Sequence, residues 1–439
     1  MQKWQKIFLA LYGFLTVVCL ATGNFAFALA YLAITLFFAL PTIDLDLFAP
    51  AALMVHAFGL YFLPPLALLR DHRQETVWYI TGTLICTLVL YVLLPRLNFG
   101  QAKWLGEKRH LRKTFRRTCI VMVVLGYIGF IASTRLAGYS SPLGVFTNPI
   151  DYRFFMLAKG MTYVSELLGF LITTPAIATA LAYYMGFISR TTFAGMTLVA
   201  IFYNLATGSR GAVIFIVVMI LIIRHIFHKQ VAATIVLVTA CIAIPFVAIA
   251  GEYRMVKYTE ESGTLSSILS KLTVEDVLEL AASRMDAAAM FDELMHVYHG
   301  DDPHLGMSYL AIPIQVIPRG FWPTKPRLPN PEMTRIIGRD DPYLDIAFDF
   351  GIFGETYINF LWFGMLGGAL IVVCIVGPLQ FIFEYAKAKR DPLCTLACCL
   401  LFLVPIEIVV SGLAQVIATG SFSVIQVLAA RSLFFKKVL

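Results

Sequence analysis

The stretch Ile317-Pro318-Arg319-Gly320-Phe321-Trp322-Pro323-Thr324-Lys325-Pro326 places two cations around two large aromatics, at the centre of a polar interval running from Gly251 to Phe350. Arg254 lies in the same interval, and Arg210 stands before it in Gly208-Ser209-Arg210-Gly211. Arginine carries a planar, permanently charged fork that bonds phosphate oxygens in pairs, and flanking glycines let a ligand approach the backbone. Arg210, Arg254, Arg319 and Lys325, presented to one cavity, suit a diphosphate better than a single headgroup. Taken alone, an arginine at a membrane surface more simply snorkels to the headgroups, so this chemistry requires a fold that gathers them.

The acidic candidates are Glu355, Glu252, Asp286 and Asp349. Glu355 is the sharpest, because it interrupts the apolar stretch Gly351-Ile352-Phe353-Gly354-Glu355-Thr356-Tyr357-Ile358-Asn359-Phe360. A carboxylate there is costly unless paired or functional, and such a group is suited to take a proton as a general base. The bland alternative is a buried pair with an arginine. His296, His299 and His304 form a further polar group; loop histidines are commonly solvated, and no second spaced set supports zinc. Trp322, Phe321 and Tyr343 could stack on a sugar ring, or anchor the chain at a membrane interface.

The elements that must position these groups are membrane helices. The chain has 439 residues, 59% hydrophobic and 14% charged, more apolar surface than a water-soluble domain can hide. Lipid offers the backbone no partners, so each apolar run of about 20 residues is expected to be a helix. Twelve runs are read at 7–22, 25–41, 48–69, 77–95, 118–134, 161–185, 192–206, 212–227, 231–250, 351–383, 393–410 and 416–433. Small residues at Ala26 and Ala28 imitate a signal-peptide site, but the first run is read as retained because later basic loops then fall on one side.

The net charge of +7 sits largely in short segments between runs, densest between Lys103 and Arg117. That is the positive-inside pattern and not a nucleic-acid patch. It puts both termini in the cytoplasm and the large loop outside, with Arg70 and Arg73 as exceptions. The expected organisation is therefore nine helices in 1–250, an outer loop in 251–350 and three helices in 351–439. Apolar spacing from Leu265 to Leu294 predicts amphipathic helices lying on the membrane face. The prolines between Pro303 and Pro342 exclude long regular helices. All eight cysteines lie in or beside apolar runs, which excludes a disulfide-stapled outer domain. Cys394, Cys398 and Cys399 are read as packing residues, and neither metal nor cofactor is expected.

Together, Gly208-Ser209-Arg210-Gly211 at a helix end, Arg254 after a later helix, Arg284-Met285-Asp286, the 317–326 stretch and Gly354-Glu355-x-Tyr357-x-Asn359 resemble the bacterial O-antigen (oligosaccharide repeat-unit) polymerases, the Wzy-type family. Arg327 to Gly338 also fits an arginine-to-glycine spacing described in some members; a second copy before the sixth run is missing. The resemblance implies an all-α, GT-C-like glycosyltransferase of the bacterial inner membrane, working at the periplasmic face. Its donor and acceptor would be oligosaccharides on undecaprenyl pyrophosphate, with a chain-length regulator and a flippase as partners beside the bilayer. By the same resemblance Arg210, Arg254, Arg284, Arg319 and Lys325 would hold pyrophosphate. Glu355, Glu252 or Asp286 would be the base, and Trp322, Tyr357 and His304 would contact sugar. Two rival readings are an O-antigen ligase, delivering glycan to lipid A core, and a polysaccharide flippase or transporter. The latter predicts charges buried in mid-helix and no large outer loop.

Overall fold

The computed structural model describes residues 3–40, 46–63, 74–94, 108–141, 162–207, 210–228, 287–300, 303–314, 328–339 and 348–432, with short pieces at 144–147, 152, 155–156, 231–232, 234–235, 238 and 322. These residues are helical and contain no strand. Six stretches are long and apolar enough to cross a membrane: Trp4–Ala21, Gln74–Leu93, Arg117–Leu136, Leu167–Tyr184, Gly351–Lys389 and Pro392–Val410. Phe25–Ala39, Pro50–Gly59 and Ala212–Phe227 are shorter apolar helices. Six of the twelve expected runs, at 7–22, 77–95, 118–134, 161–185, 351–383 and 393–410, correspond to these six stretches, and most of the run expected at 231–250 lies outside the described residues. The expected amphipathic segment before Ala287 lies outside them too.

Chain contacts divide the protein into two compact units, each assembled from distant stretches of sequence. The first unit comprises Met1–Asn98, Ala282–Phe383 and Leu401–Phe422. Its helices are α1 (Lys3–Ala21), α2 (Phe25–Ala39), α3 (Pro50–His56), which continues into a π-helical stretch Ala57–Phe62, and α4 (Gln74–Leu93). In the second unit, α5 (Lys108–Leu136), α6 (Thr162–Tyr184), α7 (Arg190–Ala206) and α8 (Arg210–Phe227) pack around Phe130, Tyr152, Leu168, Ile172 and Tyr203. Gly126 and Gly129 let α5 approach Ile172 and Leu168 of α6, the small-residue packing that membrane helices use in place of hydrophobic exclusion.

The polar interval returns the chain to the first unit through three short helices, α9 (Ala287–Val297), α10 (Met307–Ile314) and α11 (Pro329–Ile336). The last two are eight residues each, as the density of prolines requires. There follow α12 (Gly351–Phe360), α13 (Gly364–Lys389), α14 (Pro392–Leu400), α15 (Val404–Val410) and α16 (Gly412–Ala430). Several hydroxyls inside the apolar helices are satisfied locally: Thr16, Thr83, Thr87 and Thr356 each donate to the carbonyl four residues earlier. Such back-bonding keeps a polar group from going unpaired where no water is present.

The run expected as one helix over 351–383 is not one helix. Leu361 has a φ of +50°, a short 3₁₀ turn spans Leu361–Phe363, and α13 then folds back along α12. A Cβ on Gly364 would collide with the Thr356 carbonyl and the Tyr79 hydroxyl, and Gly367 and Gly368 face Phe360 and Thr356. In a continuous helix Thr356 and Gly364 would stand about 12 Å apart. Hence α12 is a short helix, buried from Gly351 to Asn359, and the membrane-length limb is α13. In the same way Gly420 of α16 lies against Val404 of α15, so α15 and α16 form a hairpin that turns at Ser411 and Gly412.

Candidate active site

Glu355 sits in the middle of α12 with no exposed surface. Its carboxylate accepts the backbone N–H groups of Leu413 (2.8 Å) and Ala414 (3.3 Å), the first residues of α16 after the hairpin turn. The arginine partner considered from the sequence is replaced, among the described residues, by backbone amides. The reason is electrostatic. The first N–H groups of a helix have no internal acceptor and carry the positive end of its dipole, so a carboxylate is stabilised there. Gly412 makes the contact possible. Its φ of +84° is a conformation that favours glycine, and a Cβ there would lie 2.5 Å from the Glu355 carboxyl carbon.

The neighbouring positions hold α12 in place. Gly351, with φ +66°, abuts the Val409 carbonyl, and Gly354 is pressed between Met333 of α11 and Leu294 of α9. At the other end Asn359 organises three bonds. Its Nδ2 donates to Ser308 Oγ (2.6 Å) and to the Glu355 carbonyl (2.6 Å), while its Oδ1 accepts from Gly306 N–H (2.9 Å). The N–H groups of His304 and Leu305 donate to the Ile358 and Asn359 carbonyls (3.0 and 3.1 Å). A segment of the polar interval thus supplies the acceptors at the end of α12 with donors that the helix itself lacks.

That docking brings Tyr309 toward Glu355. The Tyr309 hydroxyl is buried and has no hydrogen-bond partner among the described residues. Burial, reinforced by the charge of Glu355 and by Tyr79, holds it protonated well above the ordinary phenol range. A carboxylate has about four lone-pair sites, and two backbone bonds leave others open. Glu355 therefore offers an acceptor, and Tyr309, whose ring stacks on Phe360 of α12, offers a donor that senses the Glu355 charge. Below them, Asn330 Nδ2 donates to the Ser411 carbonyl (3.1 Å) and to Asp349 Oδ1 (3.4 Å). Desolvation raises the Asp349 carboxyl above its usual range although the residue as a whole is exposed, opposed by a hydrogen bond from the Ser411 side chain.

The other expected site residues divide by position. Tyr357 is packed among Tyr79, Phe291 and Tyr298, and its hydroxyl donates to the Tyr298 carbonyl (3.5 Å). The structure places it in the core supporting α12. His304 is half-buried at the docked segment and Trp322 is 38% exposed. Arg210 begins α8 in the second unit, where the helix dipole does not favour a cation. Glu252, Arg254, Arg284, Asp286, Arg319, Lys325 and Arg327 lie outside the described residues. No cluster of three metal-ligating side chains occurs among the described residues.

Set against known protein families, curated proteins and solved structures, the chain matches none of them. The groups missed in the sequence are Gly412, Asn359 as an organiser, Tyr309, and Asn330 and Ser411 as partners of the acidic candidate Asp349. Ser411-Gly412 between two apolar runs was the available signal for a turn. Nothing in the sequence marked which carboxylate would meet it.

Proposed function

We propose that the chain is a membrane glycosyltransferase that polymerises oligosaccharide units carried on undecaprenyl pyrophosphate, making O-antigen or a related surface polysaccharide. The observation that carries this reading is the buried Glu355 carboxylate in α12 together with the buried Tyr309 hydroxyl, whose ring stacks on Phe360 of the same helix and which has no hydrogen-bond partner among the described residues. Glu355 would take the proton of the acceptor hydroxyl as it attacks the anomeric carbon of the donor. Tyr309 would hold a sugar oxygen. Arg319, with Lys325 and Arg284, would neutralise the charge that develops on the diphosphate as the glycosidic bond breaks. A fixed set of cations serves a leaving group that is already a diphosphate, so no metal is needed in this scheme. The loop and the site face the periplasm in this reading, as the basic segments favour.

One observation favours a second reading. A carboxylate within a short helix folded back among apolar spans is also what a flippase or transporter uses near its substrate path. Purified protein supplied with lipid-linked repeat units, in a chelator, separates the two. Elongation into a ladder supports the transferase, and flipping across vesicles without elongation supports the transporter. Glu355→Gln is expected to lower elongation by 10²-fold or more, the range of general-base catalysis. Full elongation by that variant at equal protein level refutes the assigned base.

A further inference from the structure

The first turns of α4 carry two faces. Thr76 and Tyr79 point to the groups already described: the Thr76 hydroxyl donates to Asp292, and the Tyr79 hydroxyl shares a hydrogen bond with Thr356 (3.1 Å). Gln74, Val77 and Trp78, spaced i, i+3 and i+4, occupy another face. Together with the turn that joins α1 to α2, at Gly23, Asn24 and Phe25, they line a cavity of about 260 Å³. That is just under the range of drug-sized ligand pockets, room for one ring-sized group. The turn is open, since Gly23 has φ +77° and a Cβ there would meet nothing within 4 Å.

The chemistry of the lining is specific in what it lacks. Among the described residues, no formally charged side chain lines the cavity. What it does have are two carboxamides and two exposed aromatics, Trp78 at 45% and Phe25 at 71%. Asn24 precedes α2, yet its side chain makes no capping bond. Its Nδ2 donates instead to Thr22 Oγ1 (3.1 Å), which leaves the side-chain oxygen as an acceptor. Carboxamides offer donors and acceptors to vicinal hydroxyls, and an aromatic ring covers an apolar C–H face while tolerating polar edges. A neutral pyranose has both features on one ring. A lipid acyl chain would not need the amides.

We propose that this cavity is a saccharide subsite that takes one uncharged sugar ring. Its assignment to the glycan of a lipid-linked repeat unit rests on the transferase reading above; the binding of a neutral sugar does not. Saturation-transfer NMR on the full-length protein in detergent, with free hexoses, N-acetylhexosamines and deoxyhexoses at millimolar concentration, tests it. The expected result is transfer to the ring protons of at least one sugar. Trp78→Ala should weaken it fivefold or more, as should the double variant Asn24→Ala with Gln74→Ala, whose exposed side chains contribute little to folding. Trp78→Phe should retain most of it. No transfer to any sugar in the wild type overturns the proposal. So does equal transfer in Trp78→Ala, which would make Trp78 an interfacial anchor. Elongation measured in parallel separates the two ideas. Loss of sugar binding in Trp78→Ala, in a protein that never elongates, leaves the subsite standing and removes the transferase. Undiminished binding and unchanged ladder length, in a protein that elongates, does the reverse.

Discussion

Replacing Gly412 by alanine should be among the most damaging single-methyl additions in the first unit. The residue has φ +84°, and the added Cβ would stand 2.5, 2.6 and 2.9 Å from the Glu355 carboxyl carbon and its two oxygens. The backbone strain costs about 1–2 kcal/mol, and forcing a methyl into a filled site costs about 1–3 kcal/mol, so about 2–5 kcal/mol is expected. Gly420, eight residues along the same helix, is the matched control. A Cβ there meets only Val404 Cγ2, at 3.7 Å, an ordinary contact. Alanine in a helix interior is favoured over glycine by about 0.8–1.0 kcal/mol, so the same substitution should change sign. Thermal unfolding of the detergent-solubilised protein, followed by tryptophan emission, reads both. At about 2–4 °C per kcal/mol for a unit of this size, Gly412→Ala should lower Tm by roughly 4–20 °C and Gly420→Ala should raise it slightly. Removing the obstacle adds a stricter check. In a Glu355→Ala background the clash disappears, so the two losses should be less than additive by about 1–3 kcal/mol. A Gly412→Ala protein that melts with the wild type, or losses that simply add, would refute the capping geometry.

Asn359→Ala removes two hydrogen bonds that fasten residues 306–308 to α12, and limited proteolysis should then cut near that segment at least several-fold faster than in the wild type. Tyr309→Phe deletes a buried hydroxyl with no partner among the described residues, so Tm should hold or rise while elongation falls; a lower Tm would show that the hydroxyl is structurally bonded. Desolvation of its carboxyl raises Asp349 above its ordinary range although the residue is exposed as a whole, so the folded state binds its proton somewhat more tightly than the unfolded state and the effect is small. Stability should therefore be greatest below the unfolded value of about 3.9 and fall as pH rises through the raised folded value; Asp349→Asn should flatten that slope in a Tm-against-pH series.

The helices were legible for a simple reason: in lipid an apolar run has almost no alternative to helix. Glu355 was legible because a lone carboxylate in such a run is conspicuous whatever it does. The reversal between α12 and α13 was not, because both limbs and the turn Leu361-Trp362-Phe363 are apolar and hydropathy does not register direction. Gly364, Gly367 and Gly368 were its trace, since glycines at that spacing mark close approach of backbones. The pairing of Asn359 with Ser308 and Gly306 escaped the sequence because contacts between residues some fifty positions apart leave no local pattern.

The partner of Glu355 shows most clearly why side-chain types are an incomplete guide to a site. An arginine was the natural expectation because charge complementarity is written in side chains. The start of a helix supplies comparable positive potential from backbone N–H groups that any residue carries, and so it has no signature beyond the glycine that gives the carboxylate room. It follows that burial of Glu355 is not in itself evidence of catalysis, since the cap gives the carboxylate a sufficient structural reason to be there. The case for the proposed base comes from what the cap leaves over, namely lone pairs unoccupied and a Tyr309 hydroxyl unpartnered among the described residues. These two roles respond differently to Glu355→Gln. A glutamine can keep one acceptor for Leu413 while turning an amide donor toward Ala414. A purely structural Glu355 therefore predicts lower stability with turnover per folded molecule unchanged, whereas a base predicts loss of turnover in the molecules that remain folded.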